Sequence, residues 1–359
     1  MADNMRRDER AISALRALYE GMGYRKFKMS KFEEYELYLE NKRFLQTEGI
    51  VTFTGQNGRL LALKPDITLS ILKNLREHAV FPRKLYYTEN VYRAVRRGGE
   101  VRERAQVGLE YVGEVDLYAM GEVVSLACES LAALDEDYVL DVSHMGLVTG
   151  LLEEAGLRQS ARAEALACVA GKNEHELRRL LDREGAAGPA AEGLTKLASL
   201  SGDVRRVLAE SAPLALNATA QDALAELERL ADVLSPTVGL AHIRLDFSIV
   251  NDMSYYNGLL LRGYVPGVPE GVLSGGQYDN LVRRLSRAPG AIGFAVYLDL
   301  LEQRPEPEPE YDVDVLLLCP GDDKALEAMQ RARALRDAGR TVRVQRETGK
   351  IRGRETIRL

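Results

Sequence analysis

Residues 244–285, RLDFSIVNDMSYYNGLLLRGYVPGVPEGVLSGGQYDNLVRRL, constrain the fold of this chain more than any other stretch. Their order predicts a strand, a turn carrying two tyrosines, a second strand, a glycine-rich turn and the opening of a helix. Leu245, Phe247 and Ile249 alternate as the buried side of the first strand, and Leu259 to Tyr264 forms the second. The helix follows Gly275-Gly276, with Asp279 in its first turn. Tyr255, Tyr256 and Tyr278 join an apolar ring to a hydroxyl, so they can wall a pocket and still bond a polar ligand. The paired glycines let backbone approach that ligand closely.

A chain of 359 residues, 46% of them hydrophobic, can bury a sizeable core. Length alone predicts about two domains. No apolar run is long enough to span a bilayer, and Met1 to Arg10 is polar rather than a signal peptide. The formal net charge of −6 argues against nucleic acid, tRNA included, as the main partner. Cys128, Cys168 and Cys319 are scattered without a CxxC pair, which fits free thiols in a cytoplasmic protein. His78, His144, His175 and His242 show no ligand spacing, so neither metal nor cofactor is expected.

Before the central stretch, Ile12, Leu15, Leu18 and Tyr19 mark one stripe of a helix over 7–22. A short strand (Arg25 to Met29) and a second helical stretch (Phe32 to Phe44) follow. Asn57-Gly58 joins two strands in a hairpin, and Pro65 ends the second. Asp66 and Thr68 suit the cap of a helix beginning near Ile67, while Asp66 also has the chemistry to point a carboxylate into a pocket. Residues 84–113 read as two strands around a loop rich in arginine and glycine, from Arg93 through Arg96, Arg97, Gly98, Gly99 and Arg102 to Arg104. Such a loop can clamp phosphates, or it can be a solvated basic turn. Gln106, Gly108 and Glu110 alternate on one face of the returning strand, so an amide and a carboxylate stand side by side, suited to an ammonium or an imidazole.

A helix (Ala119 to Leu134) and a strand (Tyr138 to Val142) lead into helical text over about 145–235, broken at Gly185, Gly188-Pro189, Gly202 and Ser235-Pro236. We read this segment as a helical insertion between two halves of a sheet. His175, between Glu174 and Glu176, is most simply part of a solvated helix start. The alternating Pro/Glu segment 304–310 reads as a stiff linker. Beyond it, 311–359 predicts a strand, a helix stopped by Gly339 and a second strand, ending in a solvated basic tail, KIRGRETIRL.

Several of these stretches resemble, in the correct order, the signature segments of histidyl-tRNA synthetases and their regulatory relatives, over nearly the whole chain. Asn251-Asp252-Met253-Ser254-Tyr255-Tyr256-Asn257-Gly258 and Gly275-Gly276-Gln277-Tyr278-Asp279-Asn280-Leu281 are similar to RGLDYYTG and GGRYDGL. Leu63-Lys64-Pro65-Asp66-Ile67-Thr68 lies nearer the RPD form of the regulatory relatives than the LRPEGT of synthetases. Residues 84–113 look like the second class II synthetase motif, with a loop one residue shorter and the usual Phe replaced around Arg104. Gly293-Phe294-Ala295 aligns the third motif, and Leu300 then stands where a synthetase has its ATP-binding arginine. The arginine that opens the tyrosine segment is replaced by Asn251.

The resemblance implies an α+β fold with a class II synthetase-like antiparallel sheet and flanking helices over 1–303. It also implies a helical insertion and a partial α/β domain like the start of an anticodon-binding domain, about half the usual length. It implies a histidine pocket of Asp66, Gln106, Glu110, Tyr255, Tyr256 and Tyr278, with Arg93 as a vestigial phosphate ligand. No catalytic residue is expected, since loss of one transition-state donor costs on the order of 100–1,000-fold and two arginines are replaced. The chain carries no phosphoribosyltransferase signature of its own. The implied role is therefore a regulatory subunit that dimerises and activates the short-form catalytic subunit of ATP phosphoribosyltransferase in histidine biosynthesis, with histidine as an effector. A divergent histidine-tRNA ligase and a free-standing histidine sensor remain alternatives at this point.

Overall fold

The computed structural model describes residues 6–41, 49–75, 80–94, 101–250, 255–301 and 310–359. The chain forms two compact units, Ala11–Gln303 and Arg304–Leu359 together with Met1–Arg10. Helix α1 (Arg7–Gly21) buries Ala11, Leu15 and Tyr19, the i, i+4, i+8 face of an amphipathic helix. Strands β1 (Arg25–Lys26) and β2 (Phe32–Glu34), helix α2 (Tyr35–Glu40), and strands β3 (Thr52–Thr54) and β4 (Leu60–Leu63) come next. Then follow α3 (Thr68–Asn74), the long hairpin β5 (Arg83–Ala94) and β6 (Val101–Gly113), α4 (Leu117–Ala132) and β7 (Val139–His144).

The middle of the chain is helical: α5 (Met145–Glu154), α6 (Gln159–Ala170), α7 (Glu174–Glu184), α8 (Pro189–Ser199), strand β8 (Ser201–Asp203), α9 (Val204–Ser211) and α10 (Ala218–Leu234). The larger unit closes with β9 (Ile243–Asp246), β10 (Leu259–Tyr264), β11 (Leu273–Gln277), α11 (Asp279–Leu285), β12 (Gly290–Tyr297) and α12 (Leu298–Leu301). The smaller unit holds β13 (Val313–Leu318), α13 (Ala325–Asp337), β14 (Val342–Gln345) and β15 (Gly353–Arg358).

Nine strands form the central sheet in the order β1-β5-β6-β12-β11-β10-β7-β9-β8. Neighbours run antiparallel except β1 with β5 and β7 with β9. Strand alternation divides the chemistry between the two faces. On β6, Val107, Leu109 and Tyr111 enter the main core beneath α1 and α4, while Gln106, Gly108 and Glu110 face the other way. On β12, Ile292, Phe294 and Val296 join the same core, and Gly293 pairs with Glu110. The apolar residues of β6 and β12 thus anchor the face whose polar residues are free to line a pocket.

Five local expectations are corrected. The predicted helical stretch from Phe32 begins instead as β2, because Phe32–Glu34 pairs with β4 and Phe32 meets the Phe53 ring edge-on at 5.7 Å; its end, 42–44, lies outside the described residues. The strand at Leu245 stops at Asp246, whose Oδ1 accepts from the Ser248 amide and hydroxyl to form a turn, although Phe247 and Ile249 are buried as expected. Gly275 and Gly276 lie inside β11 and not in a turn. They are glycines because of close approach: a Cβ on Gly275 would stand 2.2 Å from the Gly293 carbonyl oxygen. The helical insertion also contributes β8, an edge strand paired with β9. Finally, the basic tail is β15, parallel to β13, and its entry is fixed by the Arg352 amide donating to the Asp312 carboxylate at 2.6 Å. The predicted linker falls largely on 302–309, outside the described residues.

Candidate functional site

The loop before α3, the β5–β6 hairpin, the Tyr255-Tyr256 segment, β11 and β12 enclose one polar cavity. It is lined by Asp66, Thr68, Tyr87, Arg93, Gln106, Glu110, Tyr255, Tyr256, Ser274, Gly275, Tyr278, Gly293 and Tyr297 among others. Every site residue singled out in the sequence, from Asp66 to Tyr278 and including Arg93, lies on its wall. Of the loop arginines, Arg96 and Arg97 lie outside the described residues, as does Asn251. The strands reach further than expected: Arg93 belongs to β5, Arg102 and Arg104 to β6.

Glu110 is only 3% exposed. The Tyr278 hydroxyl donates to its Oε2, and the Thr68 hydroxyl donates to Oε1 at 2.9 Å. Burial pushes its carboxyl up to about 8, against the pull of these two hydrogen bonds, and the nearby charge of Asp66 adds to the rise. Room for this carboxylate comes from Gly293, where a Cβ would fall 1.9 Å from Oε2. Gly108 serves Tyr87 in the same way, since its Cβ would meet the Tyr87 hydroxyl at 2.4 Å.

Asp66 does two things at once. Its Oδ1 accepts from the Leu69 amide at 2.9 Å, so it caps the first turn of α3, and its carboxylate still lines the cavity. Burial raises its carboxyl, while the Leu69 amide and the Arg93 guanidinium oppose the rise. Arg93 donates from Nε to the Pro65 carbonyl at 3.1 Å, which orients the guanidinium beside Asp66. Just before this loop, Lys64 is fully buried and its Nζ bonds Glu89 Oε2 at 2.8 Å, joining the end of β4 to β5.

The three tyrosines pack against one another. Tyr255 and Tyr256 have ring centroids 4.4 Å apart, and Tyr278 lies 6.1 and 6.5 Å from them. Burial raises all three hydroxyls above their ordinary range, so they act as neutral donors and acceptors. Thr68, Tyr87, Tyr297 and Gly293 also line the pocket, and the sequence reading does not assign them to it. The signal was there for Tyr87, which pairs across the hairpin with Gly108. The contribution of Gly293 shows only once β12 is laid beside β6.

Leu300, on α12, is 3% exposed and belongs to the main core. Its neighbour Asp299 lies 3.7 Å from Arg104, next along the pocket-facing row of β6. Among the described residues, no group of three His, Cys, Asp or Glu side chains could hold a metal ion. No helix among them is long and apolar enough to cross a membrane.

The family model for histidyl-tRNA synthetase matches residues 2–301. The ATP phosphoribosyltransferase regulatory subunit of Geobacter metallireducens is 34% identical over 78% of this chain and 67% of its own length. That of Symbiobacterium thermophilum is 31% identical over 83% of this chain and 76% of its own. A solved structure described as an ATP phosphoribosyltransferase regulatory subunit/histidyl-tRNA synthetase from Bacillus halodurans superposes with a TM-score of 0.83 at 25% identity, covering 100% of this chain and 96% of that one. The chain therefore belongs to the histidyl-tRNA synthetase family and, within it, to the ATP phosphoribosyltransferase regulatory subunits.

Proposed function

We propose that this chain is a non-catalytic regulatory subunit that activates a separate, short-form ATP phosphoribosyltransferase at the first step of histidine biosynthesis, and that its pocket takes histidine as effector. One observation carries the reading. Asp66, Gln106, Glu110 and the three tyrosines line one cavity, while Leu300, which the resemblance aligns with an ATP-binding arginine, is buried in the core. Asp66 and Arg93 lie side by side and suit an ammonium and a carboxylate, and Glu110 among the tyrosine rings suits an imidazole. Three buried, free cysteines fit a cytoplasmic setting. The catalytic partner supplies the phosphoribosyl chemistry, and a homodimer of this chain is the assembly we expect within that complex.

The test is ATP phosphoribosyl transfer by the short catalytic chain, with and without this protein and with histidine added. Activation that histidine reverses supports both parts of the proposal. Unchanged transfer overturns the regulatory role, and calorimetric histidine affinity unaltered by Glu110→Ala overturns the pocket assignment. Arg93 in the cavity wall favours one second reading, a divergent ligase, which histidine-dependent pyrophosphate exchange would reveal.

A further inference from the structure

Resting on the reading of the cavity as a histidine pocket, we propose that Glu110 meets the ligand as a neutral carboxylic acid and that the bound imidazole takes its proton. The geometry assigns the two ends of the ligand. Arg93 is held beside Asp66 through the Pro65 carbonyl, so a carboxylate and an ammonium belong at that end. Glu110 lies among Tyr255, Tyr256 and Tyr278, where a flat ring has faces to stack on and one acid to bond.

Among the described residues, the groups facing Glu110 give its charge no counter-ion. From α3 comes the Thr68 hydroxyl, from the start of α11 the Tyr278 hydroxyl, from β5 Tyr87, from the segment before β10 Tyr255 and Tyr256, and from β12 the bare backbone of Gly293. Gln106 and Tyr297 add neutral polar groups. The charged groups of the described cavity wall are Asp66, whose charge opposes ionisation of Glu110, and Arg93, which lies beside Asp66. Two hydroxyl donors do not offset that burial, which pushes the carboxyl upward and favours its protonated form in the empty site.

A histidine side chain is mostly uncharged at pH 7.5. On entry, the Glu110 O–H bond breaks and a ring N–H forms, leaving a carboxylate against an imidazolium inside the cavity. No proton is exchanged with solvent in this range. Below the ring's own transition the entering ligand brings a proton too many, and above that of Glu110 the site lacks one. Affinity therefore has a plateau between them and falls on both sides, by up to about tenfold per pH unit. The site selects a side chain that can change charge on arrival and discriminates against one that is permanently cationic.

Two measurements on the full chain decide the matter at pH 7.5. Nitrogen-15 spectra of ring-labelled L-histidine report whether the bound ring is protonated. Calorimetry in buffers of different ionisation enthalpy counts protons exchanged with solvent. A protonated ring with near-zero net uptake is the expected pair, since the proton then came from the protein. A protonated ring with uptake of one proton means that Glu110 was already ionised, and a neutral bound ring means that no transfer occurs; either overturns the proposal while leaving the histidine reading intact. Absence of binding at every pH overturns both. Glu110→Gln should leave the weakly bound ring neutral, whereas Asp66→Asn should leave it protonated; the reverse pattern assigns the proton to Asp66 and sinks the proposal for Glu110.

Discussion

Asn257 and Asp279 bind each other twice. The Asn257 Nδ2 donates to Asp279 Oδ2 at 3.0 Å, and the Asp279 amide donates to Asn257 Oδ1 at 2.8 Å. Asp279 is 7% exposed, and its carboxylate also accepts from Gln277 Nε2 at 2.8 Å and from the Ala291 amide at 3.1 Å. This knot ties the segment bearing Tyr255 and Tyr256 to the one bearing Tyr278, and both to β12. It positions the aromatic wall without touching the cavity.

Removing the hub should cost more than removing a spoke. Asp279→Ala strands several donors at once, and hydrogen bonds to a charged group are each worth about 1.5–3 kcal/mol. Urea unfolding should show a loss of about 3 kcal/mol or more for Asp279→Ala and about half that for Asn257→Ala. Both should weaken histidine binding by loosening the tyrosines. Equal stability in the two variants would argue that the contacts are incidental.

Gly293→Ala tests the floor of the cavity. Its added methyl would stand 1.9 Å from Glu110 Oε2 and 2.4 Å from the Leu109 carbonyl oxygen, and the latter is backbone that cannot swing away. Overpacking of this kind costs about 1–3 kcal/mol. We expect at least a hundredfold loss of histidine affinity in a chain that still folds. Retained affinity would mean that the Glu110 carboxylate has another resting place.

Much of the pocket was legible because its residues recur in short runs whose period matches one element. Gln106, Gly108 and Glu110 declare a strand face by alternation, and the tyrosines sit beside glycines that can only be explained by close packing. Asp66 shows the limit of such reading. Cap and pocket ligand looked like alternatives in the sequence, yet one carboxylate oxygen serves the Leu69 amide while the group as a whole borders the cavity. Where partners come from distant segments, local pattern is silent. Thr68 reaches Glu110 across 42 positions and Asn257 reaches Asp279 across 22, and neither spacing has a signature. Tertiary pairing also overrode local period at Phe32, and close approach made Gly275 and Gly276 strand residues.

The carboxyls of the cavity give the ligand-free protein a particular pH dependence. Glu110 is raised from an ordinary value of 4.5 to about 8, and burial raises Asp66 in the same direction. The folded chain then holds more protons than the unfolded one between those values. Stability from this source is complete below the unfolded value and is lost as pH rises through the folded one. Across that window the unfolding free energy should fall by up to about 1.4 kcal/mol per pH unit for Glu110 alone. Glu110→Gln should flatten the profile and make the empty protein more stable at pH 8. A wild-type profile already flat from about pH 5 to 8 would contradict the burial argument.

Leu300→Arg should not by itself create an ATP-binding arginine. The Leu300 side chain is 3% exposed and packs in the same core as Leu298, Leu301 and Phe294. An arginine there would have to carry its charge through apolar surroundings, and the neighbouring carboxylate, Asp299, already faces Arg104 at 3.7 Å. Burying an unpaired charge costs several kcal/mol even after relaxation. Leu300→Arg should therefore lower thermal stability sharply and leave histidine-dependent pyrophosphate exchange at background, while Leu300→Met should be nearly silent in both assays. If Leu300→Arg instead folded normally and gained exchange activity, the core would have kept room for the arginine, and the loss of catalysis would rest on Asn251 or elsewhere.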